Sequence, residues 1–348
     1  MVSERAGADA SDIESTLQAH SMTIAHSRSL GIAALLLATS AWGGMFLVSK
    51  GVLHQVDPFW FTLIRYSFSA VLFVALIAPR GMGPWHKLRA HALPLAVRGT
   101  AGFGVFSVML LTGLAHSVPS HGAIIMATTP MTTQLLRWVL DGVRPSRTTL
   151  LTSLLAMAGV VIVSGALSPH GSDGEASTMF GDAVAFAGTL GWVWYTRGAA
   201  QFADRLDVIE YSALTVIASW PVLALGAAFA TALGAAAIPS ADGLILSWHA
   251  LLYVGLISSA VAVLAFNYGV RALGAITGTA FLNFVPVSAS LLSVALGKLP
   301  SGNELLGMSM VVGALLIHTV GSRAQAAPLV RAAPSARRPK SGVCGATS

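Results

Sequence analysis

Two stretches of this chain are copies of one pattern. Residues 122–140 read GAIIMATTPMTTQLLRWVL, and residues 278–296 read GTAFLNFVPVSASLLSVAL. Each is an apolar run long enough to cross a bilayer. Each carries a proline eight positions after a shared glycine, Gly122 to Pro130 and Gly278 to Pro286, and the two copies lie 156 positions apart. The match extends upstream at the same offset, with Leu111-Thr112-Gly113-Leu114 falling on Asn267-Tyr268-Gly269-Val270. A proline inside a helix removes a backbone donor and crowds the preceding turn, which predicts a kink. Lipid tolerates the freed carbonyl only where protein or a water-filled cavity satisfies it. Gly122, Gly278, Pro130 and Pro286 are therefore expected hinge or structural positions, and their duplication predicts a transporter built from two repeats.

Composition agrees with a membrane location. Hydrophobic residues make up 55% of the 348 positions and charged residues 10%, too little charge to cover the surface of a soluble protein of this length. The net charge of +6 is dispersed through short loops rather than gathered in a stripe, which argues against a nucleic-acid partner. A single cysteine, Cys344, excludes an intramolecular disulfide and a cysteine-based metal site.

Ten apolar segments are expected to span, at 30–50, 58–78, 93–115, 119–140, 148–167, 180–202, 208–230, 248–270, 275–297 and 303–320. They divide the chain into a disordered tail (1–29), a first five-helix repeat (30–167), a linker (168–179), a second repeat (180–320) and a basic disordered tail (321–348). Lys and Arg fall on one side of this arrangement: Arg28, Arg80, Lys87, Arg89, Arg98, Arg137, Arg144, Arg147, Arg197, Arg205 and Arg271, with the C-terminal tail. The other side has only Lys50 and Lys298. By the positive-inside rule both termini are cytoplasmic. Five spans per repeat is odd, so the second copy enters the membrane from the opposite face, and the repeat is inverted.

These residues resemble the EamA-domain family of the drug/metabolite transporter superfamily. Ser40-Ala41-Trp42-Gly43-Gly44-Met45-Phe46 is similar to its W-G-x-x-F pattern. Asp57-Pro58-Phe59 through Leu63-Ile64-Arg65-Tyr66 resembles the start of its second span, Pro130 its fourth-span proline, and Gly181-Asp182 the opening of its second half. The resemblance covers both halves of the chain. It implies an all-α, ten-helix inner-membrane transporter of small metabolites, often amino acids or related compounds moved outward, and names no substrate.

Several residues are candidates for the substrate site. Arg65 lies ~10 Å below the outer boundary at ~1.5 Å per residue, where a charge faces a cavity, a partner or the interface. Its planar fork suits a carboxylate or phosphate. The structural alternative is snorkelling, or a bond to carbonyls of a neighbouring helix. Trp42 and Trp192 sit near the midplane rather than in the interfacial belts, at an offset of 150. Tyr195 shares the face of Trp192 at i+3. Together they suggest apolar pocket walls, against the plainer reading of helix packing. Gln134 and Asn283 lie within about one turn of the prolines, where they bond substrate or neighbouring helices. Asn267 is expected to make an interhelical or helix-end bond. Glu210, Asp182 and Glu304 fall in the first turn of their helices, where negative charge suits the dipole. No carboxylate stands at mid-membrane, so no ion-coupling residue is evident.

No Walker A loop, H-E-x-x-H, G-x-S-x-G or cluster of metal ligands is present, so neither an enzyme, a cofactor nor a metal is expected. The expected partners are a small-molecule substrate and the lipid bilayer, with a homodimer left open. The site is expected between the repeats, walled by spans one, four, six and nine, with Arg65 at its outer side. The alternative keeps the class but reverses direction or changes cargo, to an importer or a flippase-like carrier of nucleosides, sugar conjugates or lipid-linked compounds.

Overall fold

The structure, a computed structural model, describes residues 27–45, 47–49, 51–115, 125–126, 128–163, 175–295, 297 and 299–331. Gly122 lies outside them. All regular structure among the described residues is helical, and seven helices are long and apolar enough to cross a membrane, with mean hydropathies of 1.5 to 2.0. In chain order these elements are α1 (Ser27–Ser49), α2 (Pro58–Ile77), the short α3 (Gly83–Ala90) and α4 (Ala92–Gly113). Next come α5 (Thr129–Asp141), α6 (Arg147–Val163), α7 (Glu175–Gln201) and α8 (Val208–Ala232). The last three are α9 (Ala241–Leu273), α10 (Ala275–Ala295) and α11 (Gly302–Gly321). Large apolar side chains such as Val71, Leu93, Leu225, Phe229 and Leu246 are two-thirds or more exposed. So many on one surface fit a lipid solvent rather than water.

Local chemistry sets the helix ends. Asp57 caps α2 by accepting from Phe59 N at 2.8 Å, with Pro58 in the first turn, where its missing N–H costs nothing. Asp207, 150 positions on, starts α8 with a capping box: its carboxylate accepts from Glu210 N at 2.9 Å, and Glu210 accepts from Asp207 N at 3.0 Å. Gly142 (φ 67°) and Gly274 (φ 90°) end α5 and α9 in conformations that a side chain would strain. Ser240 starts α9 seven residues before the expected span, by accepting from Gly243 N at 3.1 Å. The Asp-Gly pair after it reads as a turn in sequence, but the serine cap makes it helical. The last helix also runs on to Arg331, past the predicted start of the tail at 321, because residues 322–327 are helix formers rather than breakers.

Pro130 sits in the first turn of α5, and Pro286 is the third residue of the helical segment Phe284–Ala295, just after a 3-10 turn at Phe281–Asn283. First-turn N–H groups have no intrahelical acceptor, so proline is tolerated at the position of Pro130, whereas Pro286 lies within α10. Two wider turns stand elsewhere in the chain. Thr100–Val105 in α4 and Tyr253–Val261 in α9 are π-helical, at nearly the repeat offset. Such bulges are frequent at functional sites.

Helices of the first half pack on helices of the second through small residues. A side chain at Gly113 in α4 would meet Gly181 O in α7 at 2.6 Å. Its counterpart Gly269 in α9 would meet Gly31 O in α1 at 3.0 Å. Gly31 and Gly181 differ by the same 150 positions as Trp42 and Trp192. At Gly278, a side chain would meet the Val270 methyl at 2.4 Å, which fixes the turn from α9 into α10. Tightest is Gly43 in α1, where a Cβ would lie 2.1 Å from Ser288 Oγ and 2.8 Å from the Ala289 amide nitrogen of α10. Gly43→Val is therefore expected to destabilise the fold by about 3 kcal/mol or more, because backbone cannot give way as a side chain can. A melting temperature in detergent equal to wild type would refute this packing.

Candidate substrate site

Trp42 and Trp192 meet edge to face, with ring centroids 5.3 Å apart. Phe266 packs on both at 5.3 Å, and Phe106 on Trp192 at 5.3 Å. The Trp42 indole N–H donates to Ser258 O at 2.8 Å, a carbonyl inside the π-helical turn of α9, so that turn orients the ring. Beside this aromatic cluster is a cavity lined by Trp42 and Met45 (α1), Arg65 and Tyr66 (α2), Phe106 (α4), Trp192 (α7) and neighbouring aliphatic side chains. Its volume is about 30 Å³, close to the space of one water. Anything larger enters only if the surrounding helices separate. The walls include spans two, three and eight, beyond the one, four, six and nine expected from sequence.

Arg65 supplies the charge. It is 5% exposed; one terminal nitrogen donates to Tyr66 Oη at 2.8 Å and Ser107 Oγ at 3.0 Å, and the other faces Met45 Sδ at 3.2 Å. The guanidinium carbon lies 4.6 Å from the Tyr66 ring centroid, a cation–π contact. Its Nε–H has no acceptor, and among the described residues no carboxylate pairs with it. A buried cation held by neutral groups alone is costly, and an anion in the cavity would offset that cost. Tyr66 and Ser107, which hold Arg65, were not singled out in the sequence. Tyr66 is signalled only by adjacency in Leu63-Ile64-Arg65-Tyr66, and Ser107 by nothing.

Of the six residues expected at the site, Arg65, Trp42 and Trp192 line the cavity, while Tyr195, Gln134 and Asn283 do not. Tyr195 keeps its ring against Trp192 (5.4 Å) and Phe103 (4.6 Å) but turns its hydroxyl away, to accept from Asn267 Nδ2 at 2.6 Å. Asn267 also donates to Ser212 Oγ at 2.8 Å, the interhelical bond expected of it. Gln134, on α5, donates to Pro130 O of its own helix and to Ser153 Oγ of α6, both at 3.3 Å. Asn283 is 1% exposed, and neither end of its amide has a partner. It stands in the 3-10 turn beside Leu282, which lines the cavity. Buried polar atoms without partners are rare enough to need a reason. Here Arg65 Nε and Trp192 Nε1 belong to residues that line the cavity, and the Asn283 amide to the neighbour of one that does.

Towards the basic end, polar contacts close the space between the two halves. Lys87 Nζ donates to both oxygens of Glu210 at 2.7 Å, and Arg80 pairs with Asp207 at 2.5 Å. Arg98 donates to Gln201 Oε1 at 2.8 Å, and Arg197 pairs with Asp141. Each of these joins a residue before position 165 to one after 179. Burial pushes the Asp207 carboxyl up, but the Glu210 N–H and the Arg80 guanidinium outweigh it and hold it below the usual carboxylate range. The Arg197 bond does the same for Asp141. The sequence placed Glu210 at a helix start but showed nothing of its partner 123 positions away. His318 is buried between Thr152 Oγ1 (3.3 Å) and Thr277 Oγ1 (3.4 Å). Among the described residues no group of three or more His, Cys, Asp or Glu could hold a metal ion.

Comparison with known proteins agrees with this architecture. A solved crystal structure superposes with a TM-score of 0.68 over 86% of this chain and 99% of its own, at 22% identity, a likeness of fold. The uncharacterized transporter YrdR of Bacillus subtilis (strain 168) is 29% identical over 84% of this chain and 92% of its own. A protein of Streptantibioticus cattleyicolor, named a "probable terminal-alkyne amino-acid exporter", is 26% identical over 84% of this chain and 95% of its own. The uncharacterized inner membrane transporter YedA of Escherichia coli (strain K12) is 23% identical over 80% of this chain and 87% of its own. The profile of the EamA-like transporter family matches residues 29–165 and again 179–320. With both halves matched and a multi-pass helical fold around a central aromatic cavity, the chain belongs to the EamA-like transporter family.

Proposed function

We propose that this protein is an inner-membrane secondary transporter that exports small metabolites, amino acids or related compounds, by alternating access. In this reading ten spans form two inverted five-helix repeats, 30–167 and 180–320, with both termini in the cytoplasm. The observation that carries it is the cavity itself. One indole from each half and one buried guanidinium meet there, which suits a compound with an apolar body and a carboxylate. The exporter name of one relative supports the amino-acid class. Alternating access is supported by two features together: a central space too small for substrate, and polar closures at the basic end joining the halves.

The test is counterflow of radiolabelled amino acids and nucleosides into liposomes holding the purified protein, with and without a pH gradient. Saturable exchange of amino acids, accompanied by a change in the fluorescence of Trp42 and Trp192, is expected. Exchange of nucleosides alone would move the reading to the other cargo. Exchange of neither class by folded protein would remove the amino-acid assignment.

A further inference from the structure

A second cavity, about 360 Å³ in volume, opens at the basic end away from the aromatic cluster. Two helix faces and a turn build it. From α5 come Thr133, Leu136, Arg137 and Asp141, at positions that repeat every three or four residues and so share one face. From α7 come Val193, Arg197, Ala200 and Gln201, again one face, and Gly274 and Ala275 close the third side. The cavity is roomier than the central one by an order of magnitude, and its chemistry differs. It holds two guanidinium groups, one carboxylate and one amide.

The charges do not cancel. Asp141 is bound by Arg197, whereas Arg137 lies within electrostatic reach of that carboxylate but has no ion pair or hydrogen bond among the described residues. Gln201 gives its oxygen to Arg98, which leaves its amide NH2 facing the cavity as a donor. The lining is thus donor-rich with one positive charge in excess. On the opposite face of α5, Leu135 is 56% exposed, Trp138 47% and Val139 72%. A tryptophan among exposed aliphatic residues is the pattern of a lipid-facing interface, so lipid covers the face of α5 that points away from the cavity.

We propose that this cavity binds a phosphate-bearing anion, held by the fork of Arg137 with Arg197 and the Gln201 amide as further donors. Guanidinium groups match phosphate oxygens bidentately, and the excess charge of +1 balances a phosphodiester. The same chemistry has two sources: the headgroup of an anionic phospholipid and a soluble phosphate. Basic pockets between membrane helices on the cytoplasmic side take headgroups in this way. The site is separate from the substrate cavity, so it stands whichever compound is transported. It does touch the inter-half contact, because an anion there competes with Asp141 for Arg197.

The full-length protein in detergent distinguishes the sources. Native mass spectrometry after addition of phosphatidylglycerol or phosphatidylcholine reads lipid retention, and melting temperature in inorganic phosphate against chloride at matched ionic strength reads the soluble anion. Retention of phosphatidylglycerol over phosphatidylcholine is expected, weakened about tenfold in Arg137→Gln and partly restored in Arg137→Lys. Stabilisation by inorganic phosphate without lipid retention, lost in the same variant, assigns the site to a soluble phosphate. Should Arg137→Gln fail to fold, Gln201→Leu reads the same contact with a smaller loss. Equal retention of both lipids with no effect of phosphate overturns the proposal, as does binding that Arg137→Gln leaves at wild-type strength.

Discussion

Arg65→Ala is expected to cut transport of carboxylate substrates about hundredfold while leaving the melting temperature of the protein unchanged or raised. The two halves of that result have one cause. A guanidinium that is 5% exposed, with no carboxylate partner among the described residues, carries a desolvation cost of several kcal/mol. Its bonds to Tyr66 and Ser107 return about 1.5–3 kcal/mol each, as bonds to a charged group do. Removing it therefore changes stability little. A substrate carboxylate, by contrast, loses its counter-ion in a nearly dry cavity, and such a loss costs about 2–5 kcal/mol. Counterflow and thermal melting on the same preparation read both quantities. Wild-type transport by the variant would remove Arg65 from the site. A melting temperature lower by more than about 10 °C would show instead that Arg65 is a structural cross-link. Arg65→Lys separates charge from fork: with the planar donor pair gone, partial transport is expected even though the charge remains.

Lys87→Met is expected to shift the protein towards the form open at its basic end. Glu210 is 5% exposed and receives both of its strong side-chain contacts from Lys87 Nζ; its remaining bond is to the Asp207 amide. Removing Lys87 leaves a buried carboxylate with the Asp207 N–H as its one donor; because the Lys87 side chain is itself 42% exposed, the cost to the closed form is about 2 kcal/mol, below that of a fully buried pair. In an open form the same carboxylate meets water, so the cost falls on one state alone. A difference of that size changes the ratio of states by about thirtyfold. The measurement uses a chain in which Cys344, the one cysteine, is serine and Ser212, 0% exposed beneath the closure, is cysteine. Labelling by a membrane-impermeant maleimide at that position is expected to speed up at least about tenfold in Lys87→Met. Unchanged labelling would mean that Lys87 and Glu210 do not hold the halves together. Glu210→Gln serves as the converse, since it weakens the contact without stranding a charge and should have the smaller effect.

Most of the architecture was legible in the sequence, because a membrane chain must satisfy its backbone within each segment and cover it with apolar side chains. Spans such as α2, α8 and α10 start within a residue of where hydropathy places them. The resemblance carried by Trp42-Gly43-Gly44 and by Asp57 through Tyr66 led to the same family that the profile identifies. What hydropathy misjudged were places where local hydrogen bonding outweighs composition. Ser240 makes a helix start of a stretch that reads as a loop.

The amino-acid sequence by itself determined the membrane class, the duplication and the singling out of Trp42, Trp192 and Arg65. These follow from composition, periodicity and the rarity of a charge in an apolar run, all of which are properties of one segment at a time. Only the tertiary structure decided which of the polar residues share a space. Tyr195 lies on the face of Trp192 yet turns its hydroxyl to Asn267, 72 positions away, and Lys87 finds Glu210 across 123. A side chain's partner is set by how helices cross, through contacts such as Gly43 on Ser288 and Gly113 on Gly181, and no single segment encodes that crossing.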